Sequence, residues 1–262
     1  MSSTGTAPVR EDDEELTGIG AEEASALRLF LNRALFRGFI FSGGALVSAL
    51  HFVDRDLAWR AAQAASRNLA LSTGVDIEMR GLENLPSEPT VITPNHASHF
   101  DIAALIGHLP GQNRFAAKKE LFKEPFLGMA MKILGMVPID REDPAESIER
   151  LNRLQARGKG AFSLIMFPEG TRSPEGGGLG EFKKGAFTLA IRSGRPILPI
   201  VIHGSGSVMP RGKYLSIHPG RIVVEVLAPL PTTDLSWEDR DGLRDRVHGL
   251  IGARLEQGAD SA

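Results

Sequence analysis

The sequence predicts an α/β domain of layered strands and helices, preceded by an N-terminal helical hairpin. Two observations lead there. From Val75 onward, short apolar runs alternate with segments of helical periodicity, the pattern of a sheet covered by helices. Between about Glu22 and Ser72 the pattern is helical throughout. The chain has 262 residues, enough for one substantial core with a small appendage. No internal repeat divides it.

Taken in order, residues 1–21 are small, polar and acidic, with the run Glu11-Asp12-Asp13-Glu14-Glu15. Such a run repels itself and buries little, so a disordered tail is expected. Residues 22–74 form the expected hairpin. In its first arm Leu27, Phe30, Leu31, Ala34 and Leu35 recur at spacings of three and four, interspersed with Arg28, Arg33 and Arg37. The stretch from Gly38 to Val53 carries no Asp, Glu, Lys or Arg. It is shorter than the roughly twenty residues a spanning helix needs, and Gly43-Gly44 offers a break. A second helix is expected from about Asp54 to Leu71. Two readings stay open for the hairpin: packing on the core, or lying in a membrane interface with its arginines near phosphates.

Residues 75–262 form the α/β domain. Strands are expected at Asp76–Arg80, Thr90–Thr93, Arg114–Ala117, Val137–Ile139, Ala161–Met166, Ile197–Ile202 and Ile222–Val226. Helices are expected at Phe100–His108, Pro125–Leu134, Ala145–Arg157, Gly185–Ser193 and Trp237–Leu255, the last capped by Ser236.

Composition excludes several functions. The formal net charge is -2 and there are no cysteines. Disulfides, cysteine–zinc sites and a thiol nucleophile are therefore ruled out. No basic field or nucleic-acid motif is visible, so no nucleic-acid partner is expected. The N-terminus lacks the basic-then-apolar order of a secretory signal, which points by default to the cytoplasmic side.

Chemistry concentrates in two segments. Asn95-His96-Ala97-Ser98-His99-Phe100-Asp101 joins the end of a strand to the start of a helix. That junction presents polar side chains beside free backbone N–H groups. A carboxylate five residues after a histidine can accept from one ring nitrogen and leave the other as a base for an alcohol. The rival use of His96, His99 and Asp101 is metal ligation, as in a metal-dependent hydrolase, although a further convincing ligand is missing. The second segment, Phe167-Pro168-Glu169-Gly170-Thr171-Arg172-Ser173, ends an apolar strand in a turn. Its guanidinium matches the oxygens of a phosphate, and a surface turn with an Arg–Glu pair is the alternative. Pro174 to Gly180 follows as a flexible flap. In His203-Gly204-Ser205-Gly206-Ser207 neither serine has glycines two residues before and after it, so no nucleophile elbow is present.

Together the two segments, in this order and about seventy residues apart, resemble the signature blocks of the glycerolipid acyltransferases, nearest to bacterial 1-acyl-sn-glycerol-3-phosphate acyltransferases. Lys118-x2-Leu121-x6-Gly128-x12-Arg141 matches the spacing of another block, and Ile197-Leu198-Pro199-Ile200-Val201 resembles a fourth. The resemblance covers roughly residues 75 to 230. It implies a layered fold with a mixed central sheet, His96 as general base and Asp101 as its orienting partner. It further implies substrate binding by Asn95, Lys118, Arg141, Glu169, Gly170, Thr171 and Arg172, with Arg172 on the phosphate.

The implied reaction moves an acyl group from acyl-CoA or acyl carrier protein to 1-acyl-sn-glycerol 3-phosphate, giving phosphatidic acid. Other acceptors are glycerol 3-phosphate, another lysophospholipid or a lyso-aminolipid. No metal or cofactor is expected, since the thioester is a co-substrate. Membrane lipids are expected partners. Hiding about fourteen acyl methylenes is worth on the order of 11 kcal/mol, so bilayer docking or a long apolar groove is required. A peripheral or monotopic position on the cytoplasmic face of the membrane follows.

Overall fold

The computed structural model describes residues 27–32, 34, 38, 55–124, 128, 131–132, 135–139, 149, 162–173, 178–212 and 216–259. Its elements are α1 (Arg55–Thr73), β1 (Val75–Arg80), β2 (Val91–Pro94), α2 (Phe100–His108), β3 (Asn113–Lys118), β4 (Val137–Ile139) and β5 (Ser163–Ile165). These are followed by α3 (Gly185–Ser193), β6 (Ile197–His203), the short α4 (Ser205–Val208), β7 (Gly220–Val226) and α5 (Arg240–Gln257). Three expected elements coincide with the observed ones: Val137–Ile139, Phe100–His108 and Gly185–Ser193. The last helix starts later than expected because Trp237–Asp239 form a 3-10 turn capped by Ser236. The acidic tail, most of the hairpin's first arm, most of the helices expected at 125–134 and 145–157, and Arg141 lie outside the described residues.

One seven-stranded sheet runs β1-β7-β6-β2-β5-β3-β4. Every pairing is parallel except β6 with β7, so the sheet is mixed as expected. The antiparallel step reverses β1 and β7 against the other five strands. Strand alternation then builds two cores. In β6, Leu198, Ile200 and Ile202 face one side with Ile92 of β2 and Leu105 of α2. Ile197 and Val201 face the other side with Val91, Phe187 of α3 and Val247 of α5. All seven residues of β6 are buried, the mark of a strand covered on both faces.

For α1, packing on the core is the reading that the structure shows. Ala58, Ala62, Leu69 and Ala70 are buried in the same cluster as Ile92, Phe100 and Leu105, so α1 is a layer of the domain. Its small residues recur at helical spacing and form a face flat enough for α2 and the sheet. The helical residues 27–32 dock on its far end. There Asn32 Nδ2 donates to the carbonyls of Thr73 and Ile217, at 3.3 and 2.9 Å. Leu27, Phe30 and Leu31 remain exposed.

His203, the last residue of β6, is buried beneath α5, with Nε2 3.9 Å from Glu225 Oε2. Burial pushes its imidazolium below the usual histidine range, and the Glu225 carboxylate only partly offsets this. A histidine that stays neutral when folded but binds a proton when unfolded stabilises the fold fully above pH 6.5. That contribution fades as pH falls toward the depressed folded value. The melting temperature is therefore expected to drop between pH 7.5 and 5.5, and His203→Gln should shallow that slope in a pH series of thermal melts.

Candidate active site

The sheet topology sets the two sequence segments side by side. β2 and β5 are parallel neighbours, with Val91 beside Leu164 and Ile92 beside Ile165. The loops leaving their C-terminal ends, residues 95–99 and 166–173, therefore emerge at the same edge. Asn95 continues the ladder where β2 stops. Its side-chain amide donates to the Ile202 carbonyl at 3.0 Å and accepts from the Ile202 N–H at 2.7 Å. Asn95 is buried and both ends of its amide are spent on backbone. Asn95 thereby shapes the loop that carries His96.

The next turn of chain positions the dyad. His96 Nδ1 lies 2.8 Å from Asp101 Oδ2. That same oxygen accepts the Ser98 N–H at 2.9 Å, and Ser98 Oγ accepts the Phe100 N–H at 3.1 Å. Ser98-x-x-Asp101 is thus a capping arrangement for α2, and the helix N-terminus favours the carboxylate. Asp101 is fully buried. With Nδ1–H donated to this carboxylate, His96 carries its available lone pair on Nε2. The imidazole also stacks on Phe167, at 3.9 Å between centroids and 21° between planes.

Glu169 joins the two loops. Its Oε1 accepts the His96 N–H at 2.7 Å. Its Oε2 accepts the Ser173 hydroxyl at 2.8 Å and the Gly180 N–H at 2.9 Å. Ser173 N–H in turn donates to the His96 carbonyl at 2.6 Å. A side chain at position 180 would place its Cβ 2.6 Å from Glu169 Oε2, so any larger residue would push the carboxylate out of this position. Glu169 is 3% exposed. Its carboxylate accepts from the protein's own donors and clamps the two loops together.

The remaining expected residues stand around this core. Gly170 and Thr171 are exposed in the turn and Arg172 is half-buried. Arg172 sits close enough to His99 for its charge to help hold that imidazolium below the usual range, behind the larger effect of burial. Lys118 ends β3 at the same edge and pairs with Glu120 at 3.4 Å on the surface. In the same block Gly128 packs so tightly that a Cβ would sit 2.2 Å from the Phe122 carbonyl oxygen. His96, His99 and Asp101 do not form a metal cage: among the described residues no three His, Cys, Asp or Glu side chains gather as ligands.

Several residues escaped the sequence reading: Ser98, Phe167, Ser173, Gly180 and Arg211. The Ser98-x-x-Asp101 spacing before an apolar helix was a readable capping signal. Arg211 had none, because its partners are the backbone carbonyls of Arg172 and Ser173, at 2.8 and 3.1 Å across two loops.

A mixed sheet that presents NHASHFD and FPEGTRS at adjoining strand ends has the arrangement of an acyltransferase domain. Residues 76–203 match the family model described as Acyltransferase, so this segment is an acyltransferase-family domain. Over 155 residues it is 41% identical to the chloroplastic 1-acyl-sn-glycerol-3-phosphate acyltransferase of Brassica napus, covering 58% of this chain and 44% of that one. It is 37% identical to the 1-acyl-sn-glycerol-3-phosphate acyltransferase of Pseudomonas aeruginosa, covering 58% of each. The chain thus spans about half the length of these relatives. The crystal structure of the 1-acyl-sn-glycerophosphate acyltransferase of Thermotoga maritima superposes with a TM-score of 0.68 at 26% identity. That match covers 88% of this chain and 96% of the other.

Removing the clamp should disturb catalysis through geometry. Glu169→Ala is expected to cost about 1–3 kcal/mol of stability, because three donors lose a buried acceptor. It is also expected to lower kcat more than it raises either KM. Chemical denaturation together with steady-state kinetics checks both.

Proposed function

We propose that this chain transfers a fatty acyl group from acyl-CoA or acyl carrier protein to the free hydroxyl of 1-acyl-sn-glycerol 3-phosphate, forming phosphatidic acid for phospholipid synthesis. The observation that carries the reading is the 2.8 Å contact from His96 Nδ1 to buried Asp101, which leaves Nε2 as a base. In the proposed step Nε2 takes the hydroxyl proton while the oxygen attacks the thioester carbonyl. The carbon–sulfur bond breaks, and the thiolate leaves with the proton returned by His96. Asp101 steadies the imidazolium through both transfers. No acyl-enzyme is formed.

Arg172 is assigned to the acceptor phosphate, with Lys118 and, by resemblance, Arg141 as further cations. Gly170 and Thr171 line the approach, and Glu169 and Asn95 act by holding the loops. The 1-acyl-sn-glycerol 3-phosphate acceptor is favoured because the relatives above are named for it. A metal-dependent hydrolase is disfavoured because, among the described residues, no three His, Cys, Asp or Glu side chains gather as ligands.

No helix among the described residues is long and apolar enough to cross a membrane. We assign a peripheral or monotopic position on the cytoplasmic face. It is supported by the exposure of Leu27, Phe30, Leu31 and Leu71 at 59%, 67%, 50% and 76%, apolar area suited to an interface. Leu71 lies near the end of α1, where residues 27–32 dock.

His96→Ala should reduce transfer at least about a hundredfold while the circular dichroism spectrum and melting temperature stay close to wild type. The assay is radiolabelled acyl transfer to several lysolipids with each donor. Turnover like that of the wild type would remove His96 from the reaction.

A further inference from the structure

We propose that Arg211 is a second phosphate-binding arginine, paired with Arg172, and that the pair selects a phosphomonoester acceptor over a phosphodiester one. The inference rests on the acyl-transfer reading above and names the part of the site that distinguishes headgroups. Arg211 comes from the loop between α4 and β7, far in sequence from either signature block. That loop is stitched to the catalytic one: Ser98 Oγ donates to the Met209 carbonyl at 2.9 Å. A Cβ added at Gly206 would lie 3.7 Å from Ala97 Cβ, so α4, which leads into that loop, packs closely on the catalytic loop.

Arg211 then reaches across to the third loop. Its Nη1 donates to both the Arg172 and Ser173 carbonyls. Those bonds use one nitrogen and leave Nε and Nη2 without a partner among the described residues. The Arg172 guanidinium likewise has no carboxylate partner among the described residues. The two nearby carboxylates are already engaged: Asp101 accepts from His96 and Ser98, and Glu169 from His96, Ser173 and Gly180.

The Arg211 guanidinium is thus seated on the backbone of Arg172 and Ser173, in the loop whose Ser173 N–H donates to the His96 carbonyl. A guanidinium held at a loop crossing with no carboxylate partner among the described residues attracts an anion. A phosphomonoester brings up to two negative charges and three terminal oxygens, enough for both planar forks. A phosphodiester brings one charge and a substituent where the second fork would bind. The tether also couples phosphate to chemistry, since Ser173 N–H donates to the His96 carbonyl.

The test uses the full chain and Arg211→Gln, which keeps an amide donor for the two carbonyls and removes the charge. Acceptors are 1-acyl-sn-glycerol 3-phosphate and the corresponding lysophosphatidylglycerol, with the donor varied separately. The expected result is a KM for the monoester raised about tenfold or more. The donor KM should stay unchanged, and kcat/KM for the diester should change less than twofold. Equal losses on both acceptors would make Arg211 a mere buttress, and an unchanged monoester KM would remove it from the site; either overturns the proposal.

A binding arm is independent of turnover. Calorimetric titration with glycerol 3-phosphate, and with inorganic phosphate, should show about tenfold weaker binding to Arg211→Gln than to wild type. Arg172→Ala serves as the comparison. Equal binding to wild type and Arg211→Gln would overturn the proposal. Weakened binding in a wild-type protein that acylates no lysolipid would instead overturn the acyl-transfer reading and leave Arg211 as an anion ligand.

Discussion

The single oxygen Asp101 Oδ2 is the constraint on which the site depends. It accepts from His96 Nδ1 and from the Ser98 backbone at once. The first bond fixes the imidazole tautomer and the second closes the N-terminus of α2. A carboxylate doing both cannot drift, because moving it would leave a buried helix N–H unpaired. Closure of the turn before α2 and orientation of the His96 ring are therefore one geometric fact here. The burial of Asp101 follows from Phe100, Ala104 and Leu105, which sink α2 into the core beside β2.

Around that dyad the chain is organised as three loops at one edge of the sheet. Asn95 binds the first to β6, Glu169 binds the first to the second, and Arg211 binds the third to the second. Most of these bonds run from a side chain to backbone, so each loop is held by residues that belong to another. Parallel pairing of β2 with β5 and β6 makes this possible, since it brings all three strand ends to the same side. Binding residues can then stay exposed while the frame beneath them is rigid, as a site that orients two substrates requires.

Much of this was legible in the sequence, for identifiable reasons. Strands such as β4 and β6 and helices such as α2 and α3 are short, strongly patterned and bounded by turn residues, so their limits could be read closely. His96 and Asp101 were legible because the chemistry needs those types at a local spacing. What stayed hidden is long-range. The buried face of α1, with Ala58 and Ala62, looks like any amphipathic stripe until the sheet it covers is known. Glu169 and Asn95 were named through the resemblance, but the bonds they make across loops, to Ser173, Gly180 and Ile202, needed the fold to be seen. Arg211 carried no motif, since its partners are carbonyls that any residue supplies.

The contact with Asp101 holds His96 with its proton on Nδ1, facing the carboxylate, and its lone pair on Nε2. Histidine-selective 15N labelling with His96 assigned by substitution reads this directly. The neutral enzyme is predicted to show a low-field Nδ1–H resonance coupled to Asp101, absent in Asp101→Ala, with Nε2 unprotonated. A His96 protonated on Nε2 in the wild-type enzyme would contradict it.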